Sequence, residues 1–190
     1  LIGHRPMALK ATVFKVELQV SDLDRNYYQT HSLTLARHPS ETDERMMIRL
    51  LAFALNASEH LHFTKGLSTE AEPDLWQKNL QGEIELWIEA GVPDAKRIRK
   101  GSNRAKQVII YAYGARTAPV WWESIQGDLA RFDNLTISYL SPENTAELAG
   151  LANRNMTLQA TIQDGLIWIG DSEQTLTITP EYWQRARLSS

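Results

Sequence analysis

Between Ala11 and Val20 apolar and polar side chains alternate, with Phe14, Val16, Leu18 and Val20 in one set alongside Thr12, and Val13, Lys15, Glu17 and Gln19 in the other. A repeat of two residues is that of a strand with one face buried. Leu33 and Leu35 continue it among Ser32, Thr34 and Ala36, and the polar connector Asp22-Leu23-Asp24-Arg25-Asn26 predicts an opening hairpin. The period then changes. After His38-Pro39-Ser40, the acids Glu41, Asp43 and Glu44 precede Met46, Met47, Leu50, Leu51 and Ala54 at helical spacing. This predicts a helix from Glu41 to His60 with Ser40 as its cap, the acids lying at its positive end.

Phe63 to Leu80 carries no clear period and reads as loop, with a turn at Gly66 and a break at Pro73. Ile84 to Ala90 predicts a strand with Ile84, Leu86 and Ile88 on one face and Glu85, Trp87 and Glu89 on the other. Asp94 caps a short helix reaching Arg104, and the apolar run Val108 to Tyr113, stopped by Gly114, suits a strand covered on both faces. Strand, helix, strand is the signature of a parallel crossover. Helices follow from Pro119 to Phe132 and, after Ser141-Pro142, to Asn153, with a strand at Leu135 to Leu140 between them. Met156 to Gln163 alternates strictly, Asp164-Gly165 supplies a two-residue turn, and Leu166 to Ile169 returns, with Thr175 to Thr179 as an edge strand. The expected fold class is α/β (α+β), a mixed sheet flanked by helices with antiparallel hairpins at both ends.

Composition narrows the function. With 190 residues, 43% hydrophobic and 23% charged, the chain is expected to be a single folded domain over residues 7–190, residues 1–6 reading as an expression remnant ahead of Met7. The absence of cysteine excludes a disulfide partner, thiol catalysis and cysteine-ligated zinc, and no apolar run approaches the roughly 20 residues a bilayer requires. No membrane partner and a cytoplasmic location are therefore expected. A net charge of -3 argues against coating nucleic acid by bulk attraction, so any such contact must come from a local patch. Glycine spacing matches neither a phosphate-binding loop nor a dinucleotide fingerprint, and the histidines lack ligand spacing.

What remains is a run of acids followed by bases: Glu72-Pro73-Asp74, then Glu85-Leu86-Trp87-Ile88-Glu89, then Lys96-Arg97-Ile98-Arg99-Lys100. Hard oxygen ligands beside cations are what metal-assisted phosphodiester cleavage needs. On an ideal strand Glu85 and Glu89 share a side but lie roughly 13 Å apart, too far to chelate one ion. Asp74 and Glu41 are then the candidate co-ligands, and Asp74 with Glu89 would suffice for magnesium. The plainer reading is that both glutamates face water. Lys96, Arg97, Lys100 and Arg104 fall within about 100° of helical arc, a basic face suited to a phosphate backbone, or simply to solvent. Glu41 and Arg45, four residues apart, can pair across one turn. The six tryptophans read mainly as packing, with base stacking as the alternative.

Four stretches carry a family resemblance: Leu33 to Thr42, Glu44-Arg45-Met46-Met47, Glu85 to Glu89, and Met156 to Gly165. The chain resembles the bacterial YaeQ family throughout its length after Met7. The resemblance implies a variant of the PD-(D/E)XK, restriction-endonuclease-like fold, with Pro73-Asp74 as the PD element and Glu89 as the second acid, 15 positions on. Glu89-Ala90-Gly91 has glycine where that motif places lysine, so Lys100, with Lys106 behind it, is the relocated candidate, and Glu41 matches the acid some branches bring from the first helix. Expected on this basis is a magnesium-dependent nuclease with Asp74, Glu89 and Glu41 or Glu85 around the metal and Lys100 on the scissile phosphate. Two rivals stand beside it: a non-catalytic module binding nucleic acid or the transcription machinery through Lys96 to Arg104, and a protein-protein interaction scaffold.

Overall fold

In a computed structural model describing residues 10–65 and 71–187, the long alternating segments form the first sheet. β1 (Thr12–Asp22) pairs antiparallel with β2 (Tyr27–Arg37) across a four-residue turn, as expected. At the other end of the chain, β8 (Asn155–Gln163) and β9 (Leu166–Gly170) form the predicted hairpin, and β10 (Thr175–Ile178) is an edge strand. Asp164 and Gly165 both adopt positive φ, which gives the tight turn its twist. The two hairpins are joined edge to edge because β1 runs parallel to β8, giving the order β10-β9-β8-β1-β2. Asp24 of the first turn accepts the backbone N–H groups of Asp164 and Gly165, at 2.8 and 2.9 Å, tying the turns together.

The second sheet has the order β11-β7-β6-β5-β4-β3, from β3 (Leu61–Phe63), β4 (Leu75–Lys78), β5 (Ile84–Ala90), β6 (Ala105–Ala112), β7 (Leu135–Tyr139) and β11 (Glu181–Gln184). β5, β6 and β7 are parallel, connected by α2 (Ala95–Arg104) and α3 (Thr117–Leu129), as the strand-helix-strand pattern predicts. The α+β class with mixed sheets and four helices agrees with expectation, while the strands divide between two sheets. β4 lies in the segment read as loop, and β3 starts just ahead of it, between the expected helix end and that loop; they have four and three residues, and their partners are each other and β5. The turn expected at Gly66 lies outside the described residues.

Between the sheets lies α1 (Asp43–Leu55), buried continuously from Met46 to Ala54. Leu18, Leu35, Leu158 and Ile169 meet it around its Phe53 in a first core, and Ile88 and Tyr111 join from the second sheet. α4 (Pro142–Gly150) packs beside α1 with Ser141 as its cap. On the far face of the second sheet, α2 and α3 cover a separate core of Trp87, Ile98, Val108, Ile110, Leu129 and Ile137. The continuous apolar run of β6 follows directly, since Ile109 and Tyr111 face one core while Val108 and Ile110 face the other.

α1 is shorter than expected at both ends. Ser40 turns back to His38, its hydroxyl 2.7 Å from Nδ1, and Thr42 instead caps the helix by accepting the Arg45 N–H at 3.1 Å. At the other end Asn56 donates to the Ala52 carbonyl and to the Tyr111 hydroxyl, and the chain turns into β3. Replacing Thr42 with Ala leaves that N–H uncapped and should cost about 1 kcal/mol in urea unfolding, whereas Ser40→Ala should cost much less.

Candidate functional site

The candidate acids gather where the C-terminal end of β5 meets the start of α1. Asp74 immediately precedes β4; its N–H donates to the Ile88 carbonyl and its Oδ2 accepts the Ala90 N–H at 2.8 Å. Arg45, in the first turn of α1, places Nη2 2.9 Å from both Asp74 oxygens and Nη1 2.7 Å from Glu41 Oε2. The expected Glu41–Arg45 pair is thus present, but its arginine is shared with Asp74. Arg49, one turn further, grips Glu41 with two bonds of 2.9 and 2.6 Å and also donates to the Ala36 carbonyl. Burial works against the charge on Arg45, but Asp74 and Glu41 outweigh it and hold its pKa above the usual value.

Glu89 is only 3% exposed and approaches from the α2 side, where Arg97 Nε donates to Oε1. Its Oε2 is buried without a hydrogen-bond partner. Burial drives the carboxyl up from 4.5 to about 7; the Arg97 guanidinium opposes this, and the Asp74 charge reinforces it. The Trp87 indole N–H pulls in the same direction as Arg97 while forming no hydrogen bond of standard geometry. Asp74 and Glu89 are therefore neighbours electrostatically, yet each is held by an arginine from a different face of the sheet.

Glu85 does not share a side with Glu89. Opposite it β4 pairs Gln77 with Leu86 and then Lys78 with Ile84, so Glu85 is an extra residue in a β-bulge. The bulge breaks the alternation that the spacing assumed. Glu85 accepts from Gln77 Nε2 at 3.3 Å and lines a cavity with Asn56, Leu86 and Gln107 on the α1 side. The four proposed basic residues also divide. Arg97 Nη2 donates to the Glu72 carbonyl and Arg104 Nη1 to the Ala71 carbonyl, each at 2.8 Å, and Arg104 lies over the Trp87 ring. Lys96, Lys100 and Arg99, a member of the basic run not counted on the shared helical face, are exposed and line a groove of about 460 Å³ with Asp94, Arg97 and Asn103. It is Arg97, not Lys100, that meets Glu89. Most of the tryptophans pack as expected: Trp87 is fully buried against Trp76, and Trp122 stacks on Trp183, itself stacked on Tyr139, while Trp168 is exposed on β9.

Whether this cluster suits magnesium is a question of charge and free lone pairs. Glu41, Asp74 and Glu89 face Arg45, Arg49 and Arg97, three carboxylates against three guanidiniums. All their oxygens but Glu89 Oε2 already accept a hydrogen bond. A hard dication needs unneutralised oxygens and room for its waters, so the residues as arranged do not fit one. Among the described residues, no group of three or more acidic or histidine side chains is placed to hold a metal ion.

The signal that could have found this network is Arg49, a charged residue inside the apolar run from Met46 to Ala54 and eight positions after Glu41. A charge on a buried helical face requires a partner nearby.

Comparisons with known proteins agree with this architecture. Residues 7–180 match the family model described as YaeQ protein. Proteins named "Uncharacterized protein YaeQ" from Salmonella typhi and Escherichia coli strain K12 are 51% and 49% identical over 179 residues, covering 94% of this chain and 99% of each relative. The crystal structure of YaeQ from Xanthomonas axonopodis pv. citri superposes with a TM-score of 0.89 at 45% identity, over 92% of this chain and 98% of that one. That of YaeQ from Pseudomonas syringae does so with the same score at 34% identity, over 93% and 98%. The chain belongs to the YaeQ family.

Proposed function

We propose that this chain is a non-catalytic nucleic-acid-binding module, with the groove along α2 as its phosphate contact and the buried acids as a structural lock behind it. The supporting observation is the cationic lining of that groove: Arg45 and Arg49 are turned inward to Asp74 and Glu41, whereas Lys96, Arg99 and Lys100 stand at the surface around the groove, with Arg97 reaching from its edge to Glu89 and Asp94 as its one acid. Surface cations in a row attract a phosphate backbone without reading its sequence.

Magnesium-dependent cleavage through Asp74 and Glu89, with Lys100 stabilising the developing charge, is the competing proposal. What favours it is the electrostatic coupling of those two acids and the unpartnered Oε2 of Glu89. It requires Arg45 or Arg97 to release its carboxylate.

One set of titrations separates the readings. Labelled single- and double-stranded DNA and RNA should bind with an affinity that falls as salt rises, with a log-log slope of about -2 to -3 for three phosphate contacts. Neutralising Lys96, Arg99 and Lys100 to Gln should remove most of that slope, while Asp74→Asn should leave it unchanged. Magnesium-dependent cleavage, abolished by Asp74→Asn and by Glu89→Gln, would establish the nuclease instead. If the chain binds none of the four nucleic acids and does not cleave them, both readings fail and the interaction scaffold remains.

A further inference from the structure

Opposite the α2 groove, on the α1-facing side of the second sheet, a chamber of about 250 Å³ opens between the two sheets. Its floor is Ile109 and Tyr111 of β6 with their register partners Thr136 and Ser138 of β7. Leu55 and Asn56 close one wall from the end of α1, and Ile162 closes another from the end of β8. We propose that this chamber binds an uncharged nucleoside, with the heterocycle inside and the sugar in the adjoining cavity.

Three observations point there. Ser138 is 2% exposed and belongs to the chamber lining, and its Oγ is buried without any hydrogen-bond partner. A buried hydroxyl left unmatched inside a fold calls for a ligand or an ordered water. Tyr111 accepts a hydrogen bond from Asn56 at 2.8 Å, so its own hydrogen remains to be donated, with no acceptor among the described residues. Asn56 uses both amide hydrogens, on Ala52 and Tyr111, and keeps Oδ1 as an acceptor. Two hydroxyl donors and one amide acceptor match the carbonyl and N–H edge of a lactam-type base such as uracil or hypoxanthine.

The walls and rim set the ligand's charge. Leu55, Ile109 and Ile162 make the interior apolar, the usual character of a small-molecule site. At the rim Asp22 pairs with Arg25 at 2.6 Å, and Asp24 is held by the turn N–H groups of Asp164 and Gly165. Two acids against one base repel phosphate and carboxylate. The adjoining cavity, about 470 Å³, shares Arg25 and Asn56 and presents Glu85, Lys106 and Gln107, so that over the two cavities three acids stand against two bases, and the Glu85 carboxylate and Gln107 carboxamide suit sugar hydroxyls. The β-bulge that removes Glu85 from the acid cluster is what delivers it here. This site does not rest on nucleic-acid binding by α2, which lies on the other face of the sheet.

The test is saturation-transfer NMR and calorimetry on the full chain with uridine, inosine, adenosine and uridine monophosphate. Uridine or inosine should bind, adenosine more weakly, and the monophosphate least. Ser138→Ala, which removes no hydrogen bond from the fold, should weaken binding about tenfold, and Ser138→Leu, which fills the chamber, should abolish it. If the leucine variant does not fold, the alanine variant decides. No binding by uridine or inosine at millimolar concentration overturns the proposal, as does equal binding of the monophosphate or undiminished binding to the Ser138 variants.

Discussion

Replacing Glu41 with Ala should cost about 3–5 kcal/mol of stability and lower the melting temperature by roughly 10 °C. The reason is the partner left behind. Arg49 is only 3% exposed, and without Glu41 its guanidinium keeps one bond, to the Ala36 carbonyl, in the middle of the first core. Arg45 is less affected, since Asp74 continues to hold it through both carboxylate oxygens. A buried charge cannot be left unpaired at low cost, whereas an apolar residue in the same place can pack. The double variant Glu41→Ala, Arg49→Met should therefore recover most of the loss. Chemical denaturation of the two variants beside the unaltered protein checks both statements, and a loss below 1 kcal/mol for Glu41→Ala would mean that water reaches Arg49.

This network also explains why the site was harder to anticipate than the fold. Period-two alternation in β1 and β8 and the helical spacing in α1 are local properties, so the elements and their faces followed from the residues themselves. The crossover at β5-α2-β6 was likewise readable, because capping by Asp94 and the apolar run of β6 are both local. What depends on distant residues was not. β3 and β4 are too short to show a period and exist through their pairing with each other and with β5. The parallel contact of β1 with β8, which joins the two ends of the chain, leaves no mark in either strand alone.

For the site, chain order put Asp74, Glu89 and Glu41 forward as co-ligands of one metal and paired Glu41 with Arg45; in the structure Asp74 and Glu89 feel each other's charge at one strand end, and Arg45 joins Glu41 to Asp74. Chain order named no charge partner for Asp74 or Glu89. Counting residues along a helix shows which cations share a face but not which of them turn inward. Arg97 and Arg104 reach back to Glu89 and to the backbone at 71 and 72, while Lys96 and Lys100 remain outside. Glu85 was misplaced because a period of two holds only on a regular strand, and one inserted residue reverses it.

Glu89 carries a pH dependence of unusual sign for an acid. Its folded-state pKa, about 7, lies above the ordinary 4.5, so folding favours the protonated form. Below about pH 4.5 both folded and unfolded chains carry the proton and no penalty exists. As pH rises through the window from 4.5 to 7, the unfolded chain ionises freely while the folded chain must hold the proton or bury a charge, and stability falls. Above pH 7 the loss is complete, at about 3 kcal/mol. Glu89→Gln mimics the protonated state at every pH. The variant should match the unaltered protein near pH 4 and exceed it by up to about 3 kcal/mol at pH 8, with Arg97 still bonded to a neutral oxygen. Urea unfolding at a series of pH values measures the gap directly. A variant that is less stable at pH 8 would show that the Arg97 pair outweighs burial and that Glu89 is ionised at no cost in the folded protein.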